Sequence, residues 1–152
     1  FEVQSGAMTV EVLGTHFDVQ NYPDEAQLKT TLLQGLVRVH YGENGDIRQI
    51  QPGQQARIRK AGSGRILVKN VDLQQAVAWK DGLFDFKDEP LSDILRQVAR
   101  WYDVEVFAEP AKSSLRFSGV VSKRAQLSDL LDVLSATGVV QFRIDKNKVY
   151  GY

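Results

Sequence analysis

The sequence predicts an α+β protein: an all-β N-terminal domain, built as a sandwich or a β-solenoid, followed by a small duplicated β-α-β domain. Three observations carry this. From Met8 to about Ser63, β-branched and aromatic residues alternate with polar ones in short runs. Residues 91–107, LSDILRQVARWYDVEVF, recur thirty-six positions later as LSDLLDVLSATGVVQFR, residues 127–143, with five of seventeen pairs identical. Average residue usage would give about one such identity by chance. Each copy also changes period partway, from apolar residues at i, i+3, i+4 and i+7 to strict alternation, so each reads as a helix feeding a strand. The domains are set at 1–79 and 80–152, with the boundary near Trp79 to Gly82.

In the first domain, turn signals separate the runs: NYPDE (21–25), YGENGD (41–46), QPGQQ (51–55) and AGSG (61–64). One strand breaks its own pattern. In VEVLGTHFDV (10–19), Val10 and Val12 hold even positions, whereas Leu13, Phe17 and Val19 hold odd ones. The buried face must change parity, and a one-residue bulge near Leu13, Gly14 and Thr15 would do that. A bulge that turns a strand corner is sufficient to explain the stretch. After the strand RILVKNV comes DLQQAVAWKDG, where Asp72 can cap a short helix carrying Leu73, Ala76 and Val77 on one face. Trp79 reads as a hydrophobic plug between the domains.

In the second domain, LFDF (83–86) and LRFSGVV (115–121) are strands preceding the two helices. Leu91, Ile94, Leu95 and Val98 form one apolar helix face, and Leu127, Leu130, Leu131 and Leu134 the other. Asp93 and Asp129 sit in the first turns, where a carboxylate suits the positive end of the helix dipole. Pro90 is tolerated at such a start, and Gly138 can cap the second helix. The strands after the helices use Val104 and Val106, then Val140 and Phe142. KVYGY (148–152) closes the domain after a turn at Asp145 to Asn147.

Bulk properties bound the function. The chain has 152 residues, 43% of them hydrophobic, which is enough for a real core. Net charge is zero, and residues 1–78 carry 8 basic and 8 acidic side chains against 11 and 11 in residues 79–152. Neither half has the positive excess that phosphate binding requires. With no cysteine there is neither a disulfide framework nor a thiolate metal site. No run of 18 apolar residues spans a membrane. Phe1 is not an initiating Met and opens on strand-like sequence, so the segment is expected to be cut from something longer.

Catalysis on other molecules is hard to build from these residues, and no cofactor, metal ligand or catalytic residue is expected. His16 and His40 lie in no recognisable motif and read as strand-surface residues. The carboxylate pairs Asp85/Asp88 and Asp103/Glu105 read as solvated turn or strand-end residues. The element order also suits a ferredoxin-like RNA-binding module, with Phe84, Phe86 and Phe117 as stacking residues. The neutral second half and the missing RNA-binding signature argue against it, and these rings read as core. RIRK (57–60) is one solvated face of a strand.

Taken in order, VEVLGTHFDV, TTLLQGLVRV, PGQQA, AWKDGLFDF, LSDILRQVARWYDVEV and FSG resemble the FecR family of bacterial transmembrane sigma-factor regulators. The resemblance covers essentially the whole chain. The repeated half is similar to the short N-terminal domain shared by secretins and TonB-dependent receptors, and by this resemblance the duplication builds a two-helix docking domain. The resemblance implies an anti-sigma factor of cell-surface signalling, of the kind that serves iron or nutrient uptake. This chain would be most of its periplasmic part, anchored in the inner membrane through a missing helix. Its partner would be the periplasmic signalling domain of an outer-membrane TonB-dependent transducer. A sigma factor would be reached only through a missing cytoplasmic segment. Some members cut themselves at a Gly-Thr bond by an N-to-O acyl shift, and the matching pair here is Gly14 and Thr15, which makes a self-cleaving processing domain an alternative reading.

Two places are candidates for partner binding. Trp101 and Tyr102 end the first helix where the second copy has Thr137 and Gly138, so they serve either core packing or a surface specific to that copy. Lys148, Val149 and Tyr150 are expected to form an edge strand to which a partner adds a strand of its own.

Overall fold

The computed structural model describes residues 1–43 and 45–152; Asn44, within the expected turn at 41–46, lies outside the described residues. The chain divides into two compact units, Phe1–Ala76 and Val77–Tyr152, each with its own hydrophobic core.

The first unit is a single antiparallel sheet. Its strands are β1 (Glu2–Ser5), β2 (Met8–Gln20), β3 (Gln27–Tyr41), β4 (Ile47–Ile50), β5 (Gln54–Arg59) and β6 (Ile66–Asn70), in the order β1-β2-β3-β5-β6, with β4 also on β3. The long β3 serves two partners in succession: its residues 27–31 pair with β5 and its residues 37–40 with β4. Met8, Val10, Val12, Leu32, Val37, Val39, Ile50 and Ile58 are buried at its centre. Of the buried polar residues, Gln55 donates its Nε2 to Thr31 Oγ1 at 2.7 Å, and Thr30 Oγ1 lies 3.4 Å from Met8 Sδ. Alternation correctly requires a buried face, but it does not say how many sheets share it. All these strands hydrogen-bond into one connected sheet, in place of the sandwich or solenoid that the turn spacing suggests.

Asp72 Oδ1 accepts the Gln74 N–H at 2.9 Å and starts the short α1 (Leu73–Val77). Trp79, expected as a plug, is 48% exposed, with Lys80 Nζ 5.7 Å from its ring centre.

The second unit contains β7 (Leu83–Pro90), α2 (Leu91–Tyr102), β8 (Glu105–Ala108), a 3-10 turn at Pro110–Lys112, β9 (Arg116–Ser122), α3 (Leu127–Ser135), β10 (Phe142–Asp145) and β11 (Lys148–Gly151). It is not a duplicated β-α-β domain, and the described residues of the chain are mostly strand with three α-helices. A β-α-β unit needs the two strands flanking a helix to be parallel neighbours. Here β7 pairs antiparallel with β9, and β8 pairs parallel with β11, which also carries β10 antiparallel. The strands therefore form two small open sheets, β7-β9 and β10-β11-β8. Repeat identity encodes which face of each helix is apolar, and strand partners are chosen by tertiary packing. The helices bury the faces the spacing indicates: Leu91, Ile94, Leu95 and Val98 on α2, and Leu130, Leu131 and Leu134 on α3. They share a core with Phe84, Phe86, Phe117, Val140 and Val149.

Helix ends follow local chemistry. Asp103 takes the left-handed conformation at φ 54° after α2 and returns its N–H toward Ala99 O. Gly138, at φ 77°, donates to Ser135 O past the end of α3. At the start of α3, Asp129 Oδ2 accepts the Gln126 N–H at 3.4 Å.

Candidate functional site

The parity change in β2 takes the form of a double irregularity. Leu13 pairs with Leu36, His16 with Gln34 and Phe17 with Leu32. Gly14 and Thr15 thus face the single residue Gly35, and Leu33 then lies unmatched on β3. The two irregularities compensate, so the strands leave in the register in which they entered, while both move their core-facing side chains to the other parity: Val12 and Val37 before, Phe17 and Leu32 after. Leu13 does not belong to the inward set as expected; it is 82% exposed. With Phe1, Val12, Leu36 and Arg38 it borders an open cavity of about 350 Å³.

Gly14 sits at φ +58° and Gly35 at φ +91°, in the region that favours glycine. A Cβ built on Gly35 would stand 2.5 Å from Thr15 Cγ2 and 3.2 Å from Thr15 Cα. Thr15 Oγ1 is buried and has no hydrogen-bond partner among the described residues. An unsatisfied buried hydroxyl costs about 1–3 kcal/mol, so this placement stands out. Gly35 was missed from sequence; its signal is a glycine inside the alternating run TTLLQGLVRV.

Trp101 and Tyr102 are placed differently from one another. Tyr102 packs against the core, its ring 6.4 Å from that of Phe84, and its hydroxyl donates to Ala125 O at 2.8 Å. Burial, then the Asp129 carboxylate, raises its phenol pKa above 10.0. Trp101 is 52% exposed, meets Phe84 edge-on and donates its indole N–H to Lys123 O at 2.9 Å. Lys123 Nζ lies 4.8 Å from the Trp101 ring centre and 5.1 Å from that of Phe84, and burial lowers its pKa. The C-terminal end of α2 thus clamps the turn between β9 and α3. Phe84, Phe86 and Phe117 are buried, which leaves none of them free to stack on a base.

The edge expected at Lys148, Val149 and Tyr150 is a central strand: β11 has β10 on one side and β8 on the other. Val149 is fully buried. Gly151 allows the Phe142 ring to pass, since a Cβ there would approach Cε1 to 2.9 Å. On the opposite face, Tyr150 stacks on Phe107 at 5.4 Å, Arg143 lies 5.1 Å over Tyr150, and Lys148 Nζ lies 6.0 Å over Phe107. Short-range alternation could not reveal this, because β8 joins β11 from more than forty residues upstream. Among the described residues, no group of three or more His, Asp or Glu side chains is placed to hold a metal ion, and no helix is long and apolar enough to cross a membrane. His40 Nε2 stands 3.2 Å from Glu11 Oε1, and His16 is exposed.

Comparison with known proteins adds the following. Residues 83–151 match the family described as FecR, C-terminal. No curated protein matches significantly. Two crystal structures of a protein from Parabacteroides distasonis ATCC 8503, described as a "putative anti-sigma factor", share the fold over 100% of this chain and 70% of theirs, with TM-scores of 0.85 and 0.84 at 24% identity. Residues 83–151, most of the second unit, are thus similar to the C-terminal domain of the FecR family.

Proposed function

We propose that this chain is the periplasmic part of a transmembrane anti-sigma regulator, which takes a signal from an outer-membrane TonB-dependent transducer and relays it to an extracytoplasmic-function sigma factor. The FecR C-terminal match over residues 83–151 carries this reading, and the whole-chain likeness in fold to the Parabacteroides distasonis protein supports it. In this reading the chain is a binding module without turnover on other molecules. The half-exposed Trp101, already held by Lys123, is a preorganised aromatic anchor of the kind interfaces favour. Titration calorimetry of the chain against the periplasmic signalling domain of a transducer from the same genome tests it. Micromolar or tighter binding, weakened about tenfold or more by Trp101→Ala, is expected; no binding to any such domain would overturn the reading.

A second reading concerns the chain itself. The buried, unpartnered Thr15 Oγ1 beside a left-handed Gly14 favours self-cleavage between these residues. The Thr15 oxygen attacks the Gly14 carbonyl carbon, the C–N bond breaks as an ester forms, and the hydroxyl proton passes to the new Thr15 amine. Water then hydrolyses the ester, leaving a Gly14 carboxyl and restoring the Thr15 hydroxyl. Mass spectrometry of the denatured chain should show fragments 1–14 and 15–152, absent in Thr15→Ala. An intact wild-type chain after prolonged incubation counts against it.

A further inference from the structure

We infer that Gly35 is a positioning residue for Thr15: its bare backbone seats the Thr15 methyl group and so fixes where the hydroxyl points. This rests on the self-cleavage reading. A threonine Cβ carries Oγ1 and Cγ2 at a fixed angle, so a strand that holds Cγ2 determines χ1 and the direction of Oγ1. The contact is close enough to do this. Any side chain at position 35 would begin 2.5 Å from Cγ2, whereas real Cβ atoms essentially never come under 3.0 Å. The pairing supplies the reason for the closeness, since two residues of β2, Gly14 and Thr15, are folded into the space opposite this one residue of β3.

A positive φ alone would also select glycine at 35, so the demand for backbone freedom must be separated from the demand for space. Gly6 provides the control: it has φ +61° but nothing within 4 Å of a built Cβ. Gly6→Ala therefore carries comparable backbone strain without touching Thr15.

The experiment measures the rate at which fragment 15–152 appears in wild type, Gly6→Ala, Gly35→Ala, Thr15→Ser and the double variant Thr15→Ser/Gly35→Ala, with and without hydroxylamine to trap the ester. Circular dichroism monitors folding. Misplacing a reacting group by about 1 Å can cost ~100-fold in rate, so Gly35→Ala should slow the cut by one to two orders of magnitude while Gly6→Ala leaves it unchanged. Serine keeps the hydroxyl and lacks Cγ2, the atom nearest the new Cβ. Thr15→Ser alone should be slow because its hydroxyl is no longer held. Adding Gly35→Ala to it should restore part of the rate, a reversal that general destabilisation does not produce. Cleavage of folded Gly35→Ala at the wild-type rate overturns the positioning role and leaves the cleavage reading standing. If Gly35→Ala does not fold, Thr15→Ser is compared with the double variant, and a slower double variant overturns the inference. A wild-type chain that stays intact even with hydroxylamine overturns both.

Discussion

Tyr102 and Lys123 occupy one corner of the second unit and respond to pH in opposite senses. The folded chain holds the Tyr102 phenol proton more tightly than the unfolded chain, because burial and the Asp129 carboxylate raise its pKa. Above about pH 10 the folded state binds the extra proton, so this contribution to stability is lost as pH rises. Lys123 has a lowered pKa from burial, so the unfolded state binds the extra proton and stability rises with pH toward 10.5. Urea unfolding across this alkaline window should show the Tyr102 loss abolished in Tyr102→Phe and the Lys123 gain abolished in Lys123→Met. Asp129→Asn keeps a side-chain acceptor at the start of α3 while removing the charge. It should bring the Tyr102 titration, followed by tyrosinate absorbance, part of the way back toward 10.0.

Among the elements, β11 has the most to lose. It holds β10 and β8 together, and its Val149 lies in the core. Val149→Pro removes a strand N–H, worth about 1–3 kcal/mol when left unmade, and adds the clash of the ring in a central strand. The expected result is cooperative loss of the second unit's strand signal in circular dichroism, where an edge strand would have tolerated the change. For α2, Ile94 is fully buried, and Ile94→Ala should cost about 2–5 kcal/mol by denaturant titration. Val133, on α3 but 55% exposed, should change stability by less than about 0.5 kcal/mol when replaced by alanine.

For the whole molecule, two separate cores and a division at Ala76/Val77 imply that each unit carries its own cooperativity. A fragment spanning 77–152 should fold alone with a sigmoidal thermal transition, and a featureless melt would show that its core is insufficient. If Trp101 anchors the partner, that fragment should also retain the calorimetric binding of the full chain. The first unit would then be the place where processing acts, through the irregular pairing of β2 and β3.

Local chemistry was legible wherever one segment decides the outcome. The apolar faces of α2 and α3, the Asp72 cap, the parity change between Val12 and Phe17 and the burial of Phe84, Phe86 and Phe117 all follow from residue spacing, because periodicity of 3.6 or 2 reports which side of an element avoids water. The likeness of residues 83–151 to the FecR C-terminal family is legible too, since stretches such as LSDILRQVARWYDVEV and FSG survive as sequence. Partner choice is different. Whether β7 joins β8 or β9, whether β11 is an edge or a centre, and whether six strands make one sheet or two depend on contacts between segments tens of residues apart, which alternation within a strand cannot specify. Gly35 belongs to that second class: its lack of a side chain matters only because β3 carries it against Thr15.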